Sequence, residues 1–197
     1  MIIETWFIDV GGVILLPNSA YWDTLKERYQ APETVESLFY GVESPWAECR
    51  TGIINRQTYN ERMARQLNME VEALEALRWQ SEWIRNDALV SWIRTHRHQP
   101  RRVVAVSNAD DWLERQLEHF GVGDLFDTVI NSWRVGAAKP DRAIYERALE
   151  AARTVPDRCL FIDDRESNLV TASELGMHTL LYTTFSDFLH QVTEFVN

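Results

Sequence analysis

Residues 1–17 read MIIETWFIDVGGVILLP, and the fold turns on this stretch. An apolar run over residues 2–8 climbs to one carboxylate, Asp9, and then meets Gly11 and Gly12. A short apolar run bounded by glycine is a strand signal. An acid at its end marks the point where the chain leaves the core. Glycines beside it let backbone N–H groups approach an anion closely.

The rest of the chain says what kind of sheet this strand joins. From residue 102 the pattern alternates. A strand over 102–106 ends in Ser107 and Asn108, and a helix over 111–120 is closed by Gly121. A strand over 127–131 and a helix over 141–152 follow. A strand over 159–162 ends in Asp163 and Asp164, and a helix over 166–175 is closed by Gly176. A strand over 179–182 leads into a last helix running to the C-terminus. Strand–helix alternation of this kind predicts a parallel sheet with crossover helices.

Residues 18–85 read as mostly helical, broken at Pro32, Gly41, Pro45 and Gly52. Asn55 is placed to cap a helix running to Leu67, another starts near Glu70, and one covers 87–98. This stretch is too long for a simple crossover. It predicts a small helical domain (15–86) inserted into an α/β core made of 1–14 and 87–197.

At 197 residues the chain has room for one core and such an insertion. Its 45% hydrophobic and 25% charged content is ordinary for a globular protein. A net charge of −10 argues against a nucleic-acid-binding face, and no apolar run has membrane-spanning length. No secretory signal is recognised, and Cys49 and Cys159, far apart in sequence, predict reduced thiols in a cytoplasmic protein.

Polar residues gather at the strand ends, where open α/β sheets bind ligands. They are Asp9, Ser107 with Asn108, Lys139, and Asp163 with Asp164. Asp9 and Asp164 make an oxygen site suited to Mg²⁺. Lys139, Ser107 and the glycine backbone supply donors for an anion. A cation, a lysine and a ring of donors around one carboxylate describe a phosphoryl group, with Asp9 as its nucleophile. Lys139 precedes Pro140, which suits the first turn of a helix.

These segments resemble the haloacid dehalogenase-like hydrolase superfamily over essentially the whole chain. WFIDVGGVIL, VVAVSNAD, GAAKPDRAIYERAL and CLFIDDRESNLVTASELGMHTLLY resemble the four family motifs in order. SPWAECRTGIINRQTYNERM resembles the small helical cap of a phosphatase-like subgroup. The resemblance implies a Rossmann-like sheet, order 5-4-1-2-3 in core strands, with helices on both faces and a cap after the first motif. It implies Asp9 as nucleophile and metal ligand, the Gly11 carbonyl and Asp164 as Mg²⁺ ligands, and Asp163 beside them. Val10, Gly11, Gly12, Ser107, Asn108 and Lys139 would bind the phosphate, with Lys139 also catalytic. The partner implied is a small phosphorylated molecule, with neither nucleic acid nor membrane, acted on by a monomer or homodimer.

Gly11 departs from the family. Most phosphatases of this group hold there an aspartate that serves as general acid and base, worth ~10² to 10⁴ in rate. The sequence alone therefore carries three readings: a phosphatase with a weakened site, a phospho-ligand-binding protein with little turnover, and a 2-haloacid dehalogenase-type hydrolase. The five histidines, His96, His98, His119, His178 and His190, all fall outside the predicted cap, so none is a cap-borne substitute acid. Glu43, Glu48 and Arg50 around Trp46 are candidates to face the substrate. The simpler expectation is that Trp46, Trp79 and Trp83 fill the cap interior and those charges are solvated.

Overall fold

The computed structural model describes residues 2–41, 43–97 and 102–196. Strand β1 (Thr5–Ile8) is followed by β2 (Leu15–Pro17) and five helices. These are α1 (Ser19–Tyr29), α2 (Val35–Tyr40), α3 (Trp46–Arg50), α4 (Arg56–Gln66) and α5 (Val71–Ser81). Strand β3 (Trp83–Arg85), helix α6 (Asp87–His96), strand β4 (Arg102–Ser107) and helix α7 (Leu113–His119) come next. Then follow β5 (Thr128–Asn131), α8 (Ser132–Val135), α9 (Arg142–Ala152), β6 (Cys159–Asp163), α10 (Glu166–Glu174), β7 (His178–Leu181) and α11 (Phe185–Val192).

Five strands form one parallel sheet in the order β5-β4-β1-β6-β7. This is the expected order, renumbered because β2 and β3 intervene. The period-two pleat divides the core between the sheet's faces. Trp6, Ile8, Val103, Ala105, Leu160 and Ile162 pack with Leu89 and Ile93 of α6 and Phe188 of α11. Phe7, Val104, Val106 and Phe161 pack the other way, against Ile144 and Tyr145 of α9 and Ala172 of α10. Each such fully buried side chain contributes about 1.5–3 kcal/mol. Helices α1 to α5 build a third cluster around Tyr21, Phe39, Tyr59, Met63 and Leu74.

The register positions the site. Ile8 pairs with Ala105 of β4 and with Ile162 of β6. Asp9 therefore leaves the sheet level with Asp163, and its backbone N–H donates to the Ile162 carbonyl at 2.9 Å.

Several elements differ from the sequence reading. Residues 15–86 are not purely helical: Leu15–Pro17 and Trp83–Arg85 pair antiparallel. Three-residue strands are too short to show a period. Both ends of the inserted helices thus pass through one two-stranded stem. Asn86 fixes its lower end, donating from Nδ2 to the Val13 carbonyl (2.8 Å) and to the Tyr182 hydroxyl (2.6 Å). Helix α9 starts at Arg142, two residues beyond Pro140, because the Asp141 side chain accepts from the Ala143 N–H and caps it there. Asn55 caps α4 as expected, accepting from the Thr58 N–H. The C-terminal helix stops at Val192, and α7 begins at Leu113, later than the 111 expected. His98 lies outside the described residues.

Candidate functional site

Asp9 sits buried at the end of β1. Its Oδ1 accepts from the Val10 N–H at 2.7 Å and pairs with Lys139 Nζ at 2.9 Å. Oδ2 has no hydrogen-bond partner among the described residues. Lys139 is fully buried and also contacts Asp163 Oδ2 at 2.7 Å. One ammonium therefore lies between two carboxylates. Burial opposes the charge on Lys139, but Asp9 and Asp163 outweigh it and hold its pKa above the usual lysine value. Asp9, which shares that lysine, is pushed up to about 7, first by burial and then by Asp163 and Asp164 against the pull of Lys139.

Asp163 is committed to the protein. Besides Lys139, it accepts from Asn168 Nδ2 and the Arg165 N–H, both at 2.9 Å. That network satisfies the Asp163 carboxylate at the buried strand end without a ligand. Asp164 is the exposed member, and burial of its carboxyl followed by the neighbouring Asp163 raises its pKa. Oxygens of Asp9, Asp163 and Asp164 come within 4.8 Å of one another. Three acids and one lysine leave this oxygen-only cluster with excess negative charge, which suits a hard divalent cation.

Gly12 takes φ +84°, and a Cβ there would clash with Asp164 Oδ2. Only glycine lets the loop and this carboxylate share the space.

The expected anion donors separate on inspection. The Val10 N–H is spent on Asp9, and the Gly12 N–H donates to the Leu15 carbonyl at 2.8 Å because the loop folds back on itself. Neither is free for a phosphate. Gly11 keeps both its N–H and its carbonyl without a partner among the described residues. Ser107 is buried beside the same cavity. The Asn108 side chain grips the backbone of Lys139 in both directions, accepting from its N–H (2.7 Å) and donating to its carbonyl (2.8 Å). Its side chain thus positions Lys139.

These groups line a cavity of about 300 Å³, roofed by Trp22, Tyr40, Trp46 and Arg50. Of the three charged candidates around Trp46, only Arg50 faces this cavity. Glu48 pairs with Arg62 at 2.8 Å, and Glu43 is exposed. The tryptophans divide as well. Trp46 packs on Tyr40 and Tyr59 as cap interior yet reaches the cavity. Trp79 meets Trp112 and His119 instead. Trp83 packs on the core cluster and lies over Gly11, where a Cβ would be 3.3 Å from its Cη2.

Two buried ion pairs were not foreseen. Arg56 of α4 reaches Asp110 at 2.8 Å, and its backbone N–H donates to Asp111. Arg78 pairs with Glu82 at 3.1 Å, and Glu82 also accepts from the Tyr40 hydroxyl. The Arg78–Glu82 spacing of i,i+4 reads in sequence as a surface pair. Nothing local distinguishes it from one.

An oxygen-rich acid cluster around a buried lysine, at the carboxyl edge of a parallel sheet and under a helical insertion, defines a hydrolase site on a Rossmann-like fold. The chain belongs to the haloacid dehalogenase-like hydrolase family, whose sequence profile matches residues 3–176. It is similar to sesquiterpene phosphatase astK of Aspergillus oryzae, at 24% identity across 86% of this chain and 84% of that protein. Two curated relatives with higher local identity are much longer, and the matched segments span 16% and 10% of them. A predicted HAD-like hydrolase from Porphyromonas gingivalis shares the fold at a TM-score of 0.81 and 19% identity, covering 98% of both chains. A HAD-family enzyme from Bacteroides thetaiotaomicron, solved with magnesium and inorganic phosphate, does so at 0.79 and 22% identity, covering 96% of this chain and 98% of that one. Among the described residues, no helix is long and apolar enough to cross a membrane.

Proposed function

We propose that the protein is a Mg²⁺-dependent phosphatase acting on a small phosphorylated molecule through an aspartyl-phosphate on Asp9. The observation that carries this reading is Lys139 held between Asp9 and Asp163, with Asp164 and the unpartnered Gly11 backbone around the same cavity. The carboxylates of Asp9 and Asp164 and the Gly11 carbonyl would hold Mg²⁺, with Asp163 behind them. The ion would supply charge neutralisation for the phosphoryl oxygens. That a structurally similar HAD-family enzyme was solved with magnesium and inorganic phosphate supports a Mg²⁺ and phosphate site in this fold.

With Oδ1 engaged by two donors, Oδ2 of Asp9 attacks phosphorus, and the bond to the leaving-group oxygen breaks. Water then attacks the phosphoryl group, releasing orthophosphate and restoring the carboxylate. Lys139 neutralises Asp9 and the incoming anion throughout. Residues 15–86 act as the cap that closes over the site, on a core of 1–14 and 87–197. The buried, unpaired Cys49 and Cys159 fit a cytoplasmic setting.

A second reading, phosphate binding with little turnover, draws on Gly11 and the Trp83 ring above it. Mg²⁺-dependent release of phosphate from p-nitrophenyl phosphate, abolished by Asp9→Asn, supports the enzyme. Tight phosphate binding with no release supports the binding module. The dehalogenase reading leaves the Asp164 carboxylate beside Asp9 with no part in the chemistry.

A further inference from the structure

We propose that Arg50 and Arg165 form a second anion subsite, so that the substrate carries a further phosphate or carboxylate group beyond the phosphoryl group over Asp9. This rests on the phosphatase reading and names the substrate class it serves.

Four guanidinium side chains line the cavity. Arg56 is committed to Asp110 and Arg78 to Glu82. Arg50 and Arg165 make no ion pair within hydrogen-bond distance among the described residues, although Arg165 lies beside the Asp164 charge, in a chain with 30 acidic residues against 20 basic ones. The Nε of Arg50 is buried with no hydrogen-bond partner. Buried donors are almost always satisfied, so an orphaned one on a cavity-lining side chain suggests a missing acceptor; Arg56 Nε, on the same cavity, is orphaned as well.

The two residues come from opposite sides of the cleft. Arg50 ends α3 on the roof. Arg165 follows Asp164 on the floor, its backbone anchored by the N–H bond to Asp163. Burial together with the Arg165 charge draws the Arg50 pKa down, with Asp164 beside Arg165 offsetting part of the repulsion. An anion between them offsets that repulsion. Guanidinium forks bind carboxylate and phosphate in two-pronged fashion. The bound group would also tie roof to floor, while Tyr40 and Trp46 wall the intervening space.

The test is calorimetric, on the intact protein with Mg²⁺. The probes are orthophosphate, the methylene-, ethylene- and propylene-diphosphonates, and the phosphonocarboxylates of matching length. The expected result is that at least one two-anion probe binds about tenfold or more tighter than orthophosphate, the size of one hydrogen bond to a charged group. Arg50→Met and Arg165→Met should each shrink that advantage to within about threefold. Arg165 is exposed, so its variant remains informative even if Arg50→Met folds poorly. Preference for the diphosphonate or the phosphonocarboxylate series then identifies the second group. If orthophosphate binds and no two-anion probe gains, or the gain survives both variants, the subsite is overturned alone. If orthophosphate itself does not bind, the phosphatase reading falls and takes the subsite with it.

Discussion

A Cβ placed on Gly11 would lie 3.3 Å from Cη2 of Trp83. The indole therefore occupies the space into which any side chain at position 11 would project. Gly11 and Trp83 are coupled: a side chain at position 11 would be tight against the ring, which would have to give by a few tenths of an ångström to admit it.

That coupling sets the first prediction. Gly11→Asp alone should not recover activity on alkyl phosphates, whereas Gly11→Asp with Trp83→Ala should. The wild type should show a steep fall of log kcat/KM with leaving-group pKa, because position 11 holds glycine and offers no acid to the departing oxygen. The double variant should flatten that slope. An equally flat slope in the wild type would mean that a proton reaches the leaving group by another route.

Asp9→Asn should remove turnover and keep the fold. The amide is nearly isosteric with the carboxylate but is not a nucleophile. Phosphate release assayed with Mg²⁺ should drop by at least ~10³, on the scale of losing a catalytic group outright. A variant with half the wild-type rate would move the chemistry to a different residue.

Lys139→Ala should destabilise the metal-free protein by roughly 3–5 kcal/mol, because two buried carboxylates lose their shared counter-charge. Adding Asp163→Asn should return part of that loss, so the double-variant cycle in urea denaturation should show coupling above ~1 kcal/mol. Additive effects would mean that the Lys139–Asp163 contact carries little energy.

The pH dependence follows from Asp9. Burial, with Asp163 and Asp164, pushes its carboxyl to about 7 against the opposing Lys139. An unfolded aspartate titrates near ~3.9. The metal-free fold therefore favours protonated Asp9. That contribution to stability is complete below about pH 4, declines as pH rises, and is gone above about pH 7. Mg²⁺ must displace the same proton, so its apparent affinity should rise with pH and level off above about pH 7. Magnesium titrations across that range check this, and Asp9→Asn should lose the rise.

Strand-end chemistry was legible because it is local. An apolar run ending in Asp9, and another ending in Asp163 and Asp164, place acids at a sheet edge whatever the packing around them. Lys139 was legible through its motif, yet its dual contact with Asp9 and Asp163 needed the register of three strands. Partner choice within the loop was not legible. Val10 and Gly12 were expected to bind phosphate through N–H groups that the folded loop uses internally. The stem of β2 and β3 escaped because three residues carry no periodicity. Arg56, Arg78 and Glu82 escaped because charge on a helix looks the same whether it faces water or a cavity; only the tertiary fold decides which.

Strand β1 has its own consequence for how the chain comes together. Thr5 pairs with Arg102 on one side and with Cys159 on the other. Until most of the chain has been synthesised, this central strand has no permanent neighbour, and its apolar residues wait exposed or loosely sheltered. The inserted helices have their own cluster of short-range contacts and can condense in the meantime. Asp9, at the end of β1, thus gains its fixed position only when β6, translated more than 150 residues later, arrives beside it.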